Sequence, residues 1–209
     1  MTRSIIAVTL SAAALSVTLG QGCRSAGVGD PCVPDAEYDP TFSGFSIKEV
    51  NVESKSFQCQ TRLCLVNHFR GRVSCAKGQG RDGLGLDGKP CTVPGTETPI
   101  VGATVDGKPE SASSDPKKLK CVQSQCSKRV PDKAVYCSCR CANVNGKTDD
   151  GANYCTCPDG FACEQLVSST GRGNEGLTGG YCIKTGTKYD ANDDPCGDPV
   201  AGGLTTCPD

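Results

Sequence analysis

Seventeen cysteines in a chain of 209 residues constrain its fold more than any other sequence feature. Apolar residues make up only 36% of the chain with the cysteines counted, and the aromatic side chains are five Tyr and five Phe. Such a composition cannot fill one large core by hydrophobic burial alone. Cross-links are expected to replace that core, because a disulfide in a small secreted domain typically contributes roughly 2–5 kcal/mol of stability. The chain is therefore predicted to adopt a small, disulfide-rich, mainly β and irregular fold of tandem short β-hairpin modules.

The first 22 residues have the organisation of a signal peptide. Arg3 supplies a positive charge, and residues 4–19 are uncharged and largely apolar. This stretch is too short to span a membrane comfortably, whereas its length suits the hydrophobic region of an export signal. We expect residues 1–22 to be removed on export and residues 23–31 to form an anchor and tether.

Cys23 follows this segment directly, preceded by Gly22. A small residue immediately before a cysteine resembles the lipobox of bacterial lipoproteins, although the usual leucine stands one place further back, at Leu19, and Gly20 takes its position. The resemblance implies that Cys23 becomes the first mature residue, with a thioether-linked diacylglycerol and an N-acyl chain such as palmitate. Three long acyl chains would hold the protein in a membrane essentially permanently. In the lipoprotein family, a residue other than Asp directly after the lipidated cysteine implies sorting to the outer membrane, and here that residue is Arg24. The rival interpretation is an ordinary signal peptidase site near Gly22 and a secreted protein.

The parity of the cysteines favours lipidation. Lipid on Cys23 leaves an even number of cysteines, whereas without it one thiol is left over, which is a liability in an oxidising compartment. The disulfide candidates are Cys32, Cys59, Cys64, Cys75, Cys91, Cys121, Cys126, Cys137, Cys139, Cys141, Cys155, Cys157, Cys163, Cys182, Cys196 and Cys207.

The spacing of the first eight candidates shows an internal repeat. From Cys32 the successive intervals are 27, 5 and 11 residues, and from Cys91 they are 30, 5 and 11. Self-similarity of this kind marks repeated structural units. It predicts four-cysteine modules at residues 32–77 and 91–138, each able to close with two bridges of its own. Residues 78–90, which are rich in glycine, are predicted to link them.

Short strands are predicted within both modules. In the first, residues 63–66 and 72–75 are expected to pair around a turn at residues 67–71, and residues 45–57 to supply a further strand. In the second, a strand is expected from Ala134 onward.

Residues 139–209 form an eight-cysteine C-terminal region. Cys137, Cys139 and Cys141 occupy alternate positions, so a strand would place their sulfurs on one face. Residues 154–157 are predicted to be the return strand of this hairpin.

Residues 155–163, which read CTCPDGFAC, resemble the C-x-C-P-x-G-F segment of epidermal-growth-factor-like modules. Cys163 follows sooner than is usual in that family, so the resemblance makes Cys182 the expected bonding partner. A generic disulfide-linked hairpin is the alternative.

Metal binding has weak support. The alternating cysteines superficially resemble a metallothionein, but the chain has no C-x₂-C pair of the kind that structural zinc uses, and export favours disulfides. Asp190, Asn192 and Asp194 have a calcium-loop spacing. Pro195 follows where glycine is expected and Ala201 occupies the position of the bidentate Glu, so we interpret the segment as a polar turn. No cofactor is expected.

Catalysis and nucleic-acid binding are also poorly supported. His68 is the one histidine, it lies in a predicted solvent-facing loop, and no G-x-S-x-G segment accompanies it. The basic run Lys117, Lys118 and Lys120 is interpreted as a solvated loop, because no basic patch with interleaved aromatics appears.

The predicted function is therefore that of an exported cell-envelope lipoprotein with a structural or macromolecule-binding role and no catalysis. Its expected partners are the membrane, through the lipid, and a protein or cell-surface molecule that contacts the polar loops at residues 96–118 and 168–180. The alternatives are a secreted disulfide-rich inhibitor or effector and, with less support, a hydrolase or a metal-binding protein.

Overall fold

The computed structural model describes residues 27–100, 121–168, 175–192 and 196–205. The strands within these ranges are β1 (Val50–Glu53), β2 (Cys64–Asn67), β3 (Val135–Cys137), β4 (Arg140–Ala142), β5 (Phe161–Val167) and β6 (Gly179–Lys184). A single-turn helix, α1 (Pro131–Ala134), precedes β3, and 3₁₀ turns lie at Asp35–Tyr38 and Glu175–Leu177. Within the same ranges, no helix has the length and apolar character needed to cross a membrane. Short antiparallel strands with long irregular connections confirm the predicted mainly β, disulfide-rich class.

The strands form two antiparallel sheets. The first has the order β1-β2-β3, with Leu65 opposite Tyr136. The second has the order β4-β6-β5, and its β5–β6 hairpin places Cys163 opposite Cys182. Because β3 ends at Cys137 and β4 begins at Arg140, the chain passes directly from one sheet into the other.

Strand β2 is fully buried because both of its faces are covered. Successive side chains of a strand point to opposite faces. Val66 packs with Phe45 and Phe69 in one hydrophobic cluster. Leu65 points the other way and joins Tyr181 of the second sheet in another. Burial of a Leu or Val side chain contributes roughly 1.5–3 kcal/mol, so this strand fixes the two sheets against each other.

A buried ion pair fills the part of the core next to the first 3₁₀ turn. Glu37 and Arg72 both have fully buried side chains, and the Arg72 Nε lies 3.2 Å from the Glu37 Oε2. The Arg72 guanidinium also donates to the backbone oxygens of Asp39 and Phe42, at 3.2 and 2.7 Å. The Glu37 carboxylate accepts from the backbone N–H of Val73 at 2.7 Å. A buried charge is tolerated when it is paired and hydrogen-bonded in this way.

Seven disulfides connect the described segments. They are Cys32–Cys64, Cys59–Cys137, Cys75–Cys91, Cys126–Cys196, Cys139–Cys155, Cys141–Cys163 and Cys157–Cys182. Cys121 is disulfide-bonded as well. The prediction of extensive disulfide bonding is therefore confirmed.

The expectation that each four-cysteine module closes with two bridges of its own is wrong. Cys32–Cys64 stays within the first module, whereas Cys59–Cys137 and Cys75–Cys91 join the first module to the second. The physical reason is the first sheet, in which β2 pairs directly with β3 and so brings cysteines of both modules together. The repeated spacing is real, but the two copies interlock.

The three bridges of the C-terminal region have sulfurs in mutual contact. The Cys182 Sγ lies 3.6 Å from the Sγ of Cys139 and 3.6 Å from that of Cys155, although it is bonded to Cys157. Cys182, which the growth-factor-like resemblance made an expected bonding partner within this region, is bonded to Cys157. The opposed Cys163 and Cys182 are bonded elsewhere, not to each other.

Cys137 does not share a face with Cys139 and Cys141, contrary to the prediction. The strand pattern breaks at Ser138, whose backbone N–H donates to Leu63 and whose hydroxyl donates to the Cys182 oxygen. The chain changes sheets there, so Cys137 lies in the core of the first sheet and the other two cysteines lie beside the second.

Three strand predictions are confirmed and two are wrong. Strands occur within residues 45–57, at residues 64–67 and directly after Ala134. Residues 72–75 form a turn instead, because the chain bends around the buried Arg72 side chain. Residues 154–157 form no strand: the Cys155 N–H donates to the Arg140 oxygen of β4 at 3.0 Å, but no strand ladder develops from this contact.

Candidate functional site

A cleft of about 460 Å³ opens between α1 and the end of β6. Its lining residues are Lys128, Arg129, Asp132, Lys133, Lys184, Thr185, Gly186, Thr187, Lys188 and Asp190. Five of these side chains are basic and two are acidic, so the cleft carries an excess of positive charge on a chain whose net charge is −1. We refer to it as the lysine cleft.

Arg129 forms the buried floor of the lysine cleft. Its side chain is held by three backbone carbonyls: Nε donates to His68 at 2.7 Å, Nη2 to Asn67 at 2.7 Å, and Nη1 to Thr187 at 2.9 Å. Its guanidinium also lies 5.8 Å from the ring centroid of Tyr189. These contacts attach the residues after β6 to the end of β2. Burial lowers the pKa of Arg129 from its ordinary value, but a guanidinium stays protonated in proteins.

The lysines reach the cleft from two separate segments. The Lys184 Nζ donates to the backbone oxygen of Asp132 at 3.1 Å, which ties β6 to α1. Lys188 forms an ion pair with Glu164, with 2.9 Å between Nζ and Oε2. Lys128 lies with its aliphatic carbons over Gly197, where a Cβ atom would stand 3.2 Å from them.

The bridge Cys126–Cys196 determines the position of Lys128. Cys126 is fully buried, and the strand-like contact continues beyond the bridge because the backbone N–H of Ser127 donates to Asp198 at 2.8 Å. Gly197, with φ of 60°, makes the turn on which the lysine rests. Residues far apart in the sequence are thereby fixed at one wall of the cleft.

A smaller pocket of about 160 Å³ lies beside the lysine cleft, and Lys188 lines both. The His68 and Tyr189 rings stack there, with centroids 3.6 Å apart and planes within 6° of parallel. Asn67, also in the lining, is 1% exposed, and its Oδ1 has no hydrogen-bond partner among the described residues. A buried carbonyl oxygen without a donor costs roughly 1–3 kcal/mol, so this pocket suits a small group that carries a hydrogen-bond donor.

His68 is half-buried, not solvent-facing as its loop position predicted. Its Nδ1 lies 2.9 Å from the backbone oxygen of Ile47. A carbonyl only accepts, so the neutral ring carries its proton on Nδ1 and its lone pair on Nε2. Burial chiefly, together with the positive charge of Arg129, lowers the pKa of His68 below 6.5. Among the described residues that line this pocket there is no Ser, Thr or Cys that such a base would activate.

The calcium-like segment forms a turn where it is described. The backbone N–H of Asn192 donates to the Asp190 Oδ1 at 2.9 Å, which is an Asx turn. Asp190 lines the lysine cleft. Asp194 lies outside the described residues.

Several other predicted sites also lie outside the described residues, in whole or in part. They are Cys23, Cys207, the basic run Lys117–Lys120, most of the loop at residues 96–118, and residues 169–174 of the loop at residues 168–180. Where sulfurs of three cysteines do come close together, as at Cys32, Cys59 and Cys137, all of them are disulfide-bonded.

The lysine cleft was not anticipated from the sequence. Its basic residues stand in two segments, 128–133 and 184–188, each of which looks like an ordinary polar turn. The available signal was the density of lysine just before β3 and at the end of β6. No model of a known protein family, no curated protein and no solved structure matches the chain.

Proposed function

We propose that this chain is an exported cell-envelope lipoprotein with a structural or macromolecule-binding role and no catalytic activity. The main observation in support of this proposal is that every cysteine within the described ranges is disulfide-bonded. Bridges on this scale form and persist in oxidising compartments outside the cytosol. The proposal places the protein at the outer membrane, held by lipid on Cys23, with the cross-linked domain presented to a protein or cell-surface partner.

The pairing pattern supports lipid on Cys23. The seven bridges use fourteen cysteines among themselves, and Cys121 is bonded too. Within one chain, Cys23 and Cys207 are the remaining candidates for its partner. A lipid thioether on Cys23 removes that sulfur from disulfide chemistry, so the proposal requires a Cys121–Cys207 bridge.

We propose no catalytic activity because of the geometry around His68. The lone pair of its ring stands beside no hydroxyl or thiol nucleophile of Ser, Thr or Cys among the described lining residues. A disulfide scaffold with a polar cleft suits binding, because cross-links keep the cleft in one shape and reduce the ordering that binding would otherwise require.

Intact-mass analysis of the membrane-extracted protein tests the proposal. We expect a mature chain that begins at Cys23, carries the mass of a diacylglycerol and an acyl chain, takes up no alkylating agent before reduction, and takes up one equivalent on every cysteine except Cys23 afterwards. Peptide mapping should recover Cys121 linked to Cys207.

The matched variants are Cys23→Ser and Cys207→Ser. The first should release the protein from membranes without exposing a thiol, and the second should leave the anchor intact and expose one thiol, on Cys121. An unlipidated chain recovered from the medium, with Cys23 bonded to Cys121, would refute the proposal and favour the secreted inhibitor or effector.

A further inference from the structure

Among the described residues, two arginines are buried, and they are compensated differently. Arg72 is paired with the buried carboxylate of Glu37. Arg129 is 4% exposed, and no carboxylate of the described residues lies within ion-pair distance of its guanidinium. Backbone carbonyls solvate it, but its full positive charge remains. Buried charges are normally paired, so a guanidinium with no carboxylate partner among the described residues, at the floor of an open cleft, points to a bound anion as its partner.

The walls of the cleft add to this positive potential. Lys128, Lys133 and Lys184 line it together with Arg129. A concave site with charges of one sign concentrates the field and attracts counter-ions. Lysine ammonium groups on flexible stems are suited to phosphate oxygens as point charges with three donors each.

The acidic lining residues narrow the class of ligand. Asp132 and Asp190 stand among the lysines. Their carboxylates would repel an anion that offers no hydrogen-bond donor, whereas they accept readily from hydroxyl groups. A neutral sugar would satisfy the carboxylates but would bring no negative charge to the Arg129 guanidinium. A ligand that carries both a phosphate and several hydroxyl groups satisfies the two sets together.

We propose that the lysine cleft binds a polyhydroxylated phosphate ester, that is, a sugar phosphate either free or as part of a phosphorylated glycan. This deepens and rests on the proposed binding role of the protein. The phosphate lies over Arg129 against the lysines, and the hydroxyl groups face the aspartates. The cleft volume of about 460 Å³ lies within the roughly 300–1,000 Å³ range of small-ligand sites.

A nucleic acid fits the same cleft poorly. Single-stranded nucleic acids are held by aromatic side chains on which bases stack. The described lining of the lysine cleft contains no aromatic residue. The neighbouring Tyr189 ring already stacks on His68.

Calorimetric titration of the purified full-length mature protein with glucose 6-phosphate tests the inference. Inorganic phosphate and glucose, which each represent one half of this ester, are titrated for comparison. We expect the ester to bind at least tenfold more tightly than either half, and binding to weaken at least tenfold in the K133A/K184A variant. The matched control is K55A/K89A, which removes two exposed lysines outside the cleft and should leave the affinity unchanged.

Equal affinity for inorganic phosphate and the ester would overturn the assigned ligand class, and an equal loss in both double variants would overturn the assigned site. Binding of the protein to phosphomannan beads would identify a glycan as the source of the ligand, whereas binding to the free ester alone would identify a soluble one. The titration does not depend on how the mature chain begins. If the titration shows no binding while the N-terminus is lipidated, the ligand assigned to the lysine cleft is refuted and the proposed lipoprotein function is not.

Discussion

Replacing Glu37 by glutamine tests whether the buried ion pair holds the N-terminal part of the fold together. The substitution preserves shape and removes one charge from a position that has no exposure to solvent. Arg72 would then remain charged and buried, with only backbone oxygens as partners.

The expected loss follows from the contacts of the carboxylate. One Glu37 oxygen accepts from the Val73 N–H at 2.7 Å, and the other accepts from the Arg72 Nε at 3.2 Å and the Ser74 hydroxyl at 2.5 Å. A glutamine keeps one acceptor oxygen and turns an N–H₂ group toward the second set of donors. Removal of one partner from a buried pair costs about 3–5 kcal/mol, and we expect Glu37→Gln to lower the free energy of unfolding by that amount.

Urea unfolding without reductant, followed by far-UV circular dichroism, measures this difference. Urea is uncharged, so it does not screen the ion pair. The control is Glu97→Gln, a change at an exposed position that should shift the unfolding free energy by less than about 0.5 kcal/mol. A loss below about 1 kcal/mol for Glu37→Gln would show that backbone oxygens alone neutralise Arg72, and the reasoning would fail.

Three further predictions concern backbone, cross-links and pH. Gly179→Ala should lower the free energy of unfolding by more than about 2 kcal/mol in urea, because at φ of 125° a Cβ atom would lie 2.1 Å from a backbone oxygen. The control is Gly186→Ala, which should cost less because that glycine has a φ of 80° and open space around it. Replacement of Cys59 and Cys137 by alanine opens a bridge with a sequence separation of 78 and should cost about 2–5 kcal/mol, measured by thermal unfolding. The pKa of His68 is lowered below 6.5 in the folded protein, so the unfolded chain binds the proton first and stability should fall as the pH drops below 6.5 toward the folded-state pKa. Unfolding curves at pH 7.5 and 5 should show this component in the parent and not in His68→Gln, and an identical pH dependence would contradict it.

The class of fold was predictable because it depends on composition and on local pattern. A shortage of large apolar side chains with many cysteines requires a cross-linked fold whatever the pairing is. The short apolar run at residues 63–66 and the apolar residues after Ala134 were sufficient to locate β2 and β3. These signals come from residues that are adjacent in the sequence.

The pairing of cysteines and the cleft were not predictable, because both depend on contacts between distant residues. The repeat suggested closed modules, yet a strand from each copy pairs with the other, so Cys59 bonds to Cys137. The lysine cleft exists because the side chain of Arg129, which precedes α1, donates to the backbone oxygen of Thr187. Nothing near either residue in the sequence specifies the other.

The crowding of sulfurs around Cys182 has a consequence for biosynthesis. A thiolate at this position finds Cys139 and Cys155 each 3.6 Å away, besides its native partner Cys157. Thiol–disulfide exchange proceeds by attack of a thiolate on a nearby bridge, so wrong isomers interconvert with the native one within a single folded framework. Those isomers have identical masses. A host that oxidises thiols without reshuffling them is therefore expected to yield a homogeneous mass that conceals a mixture of disulfide isomers.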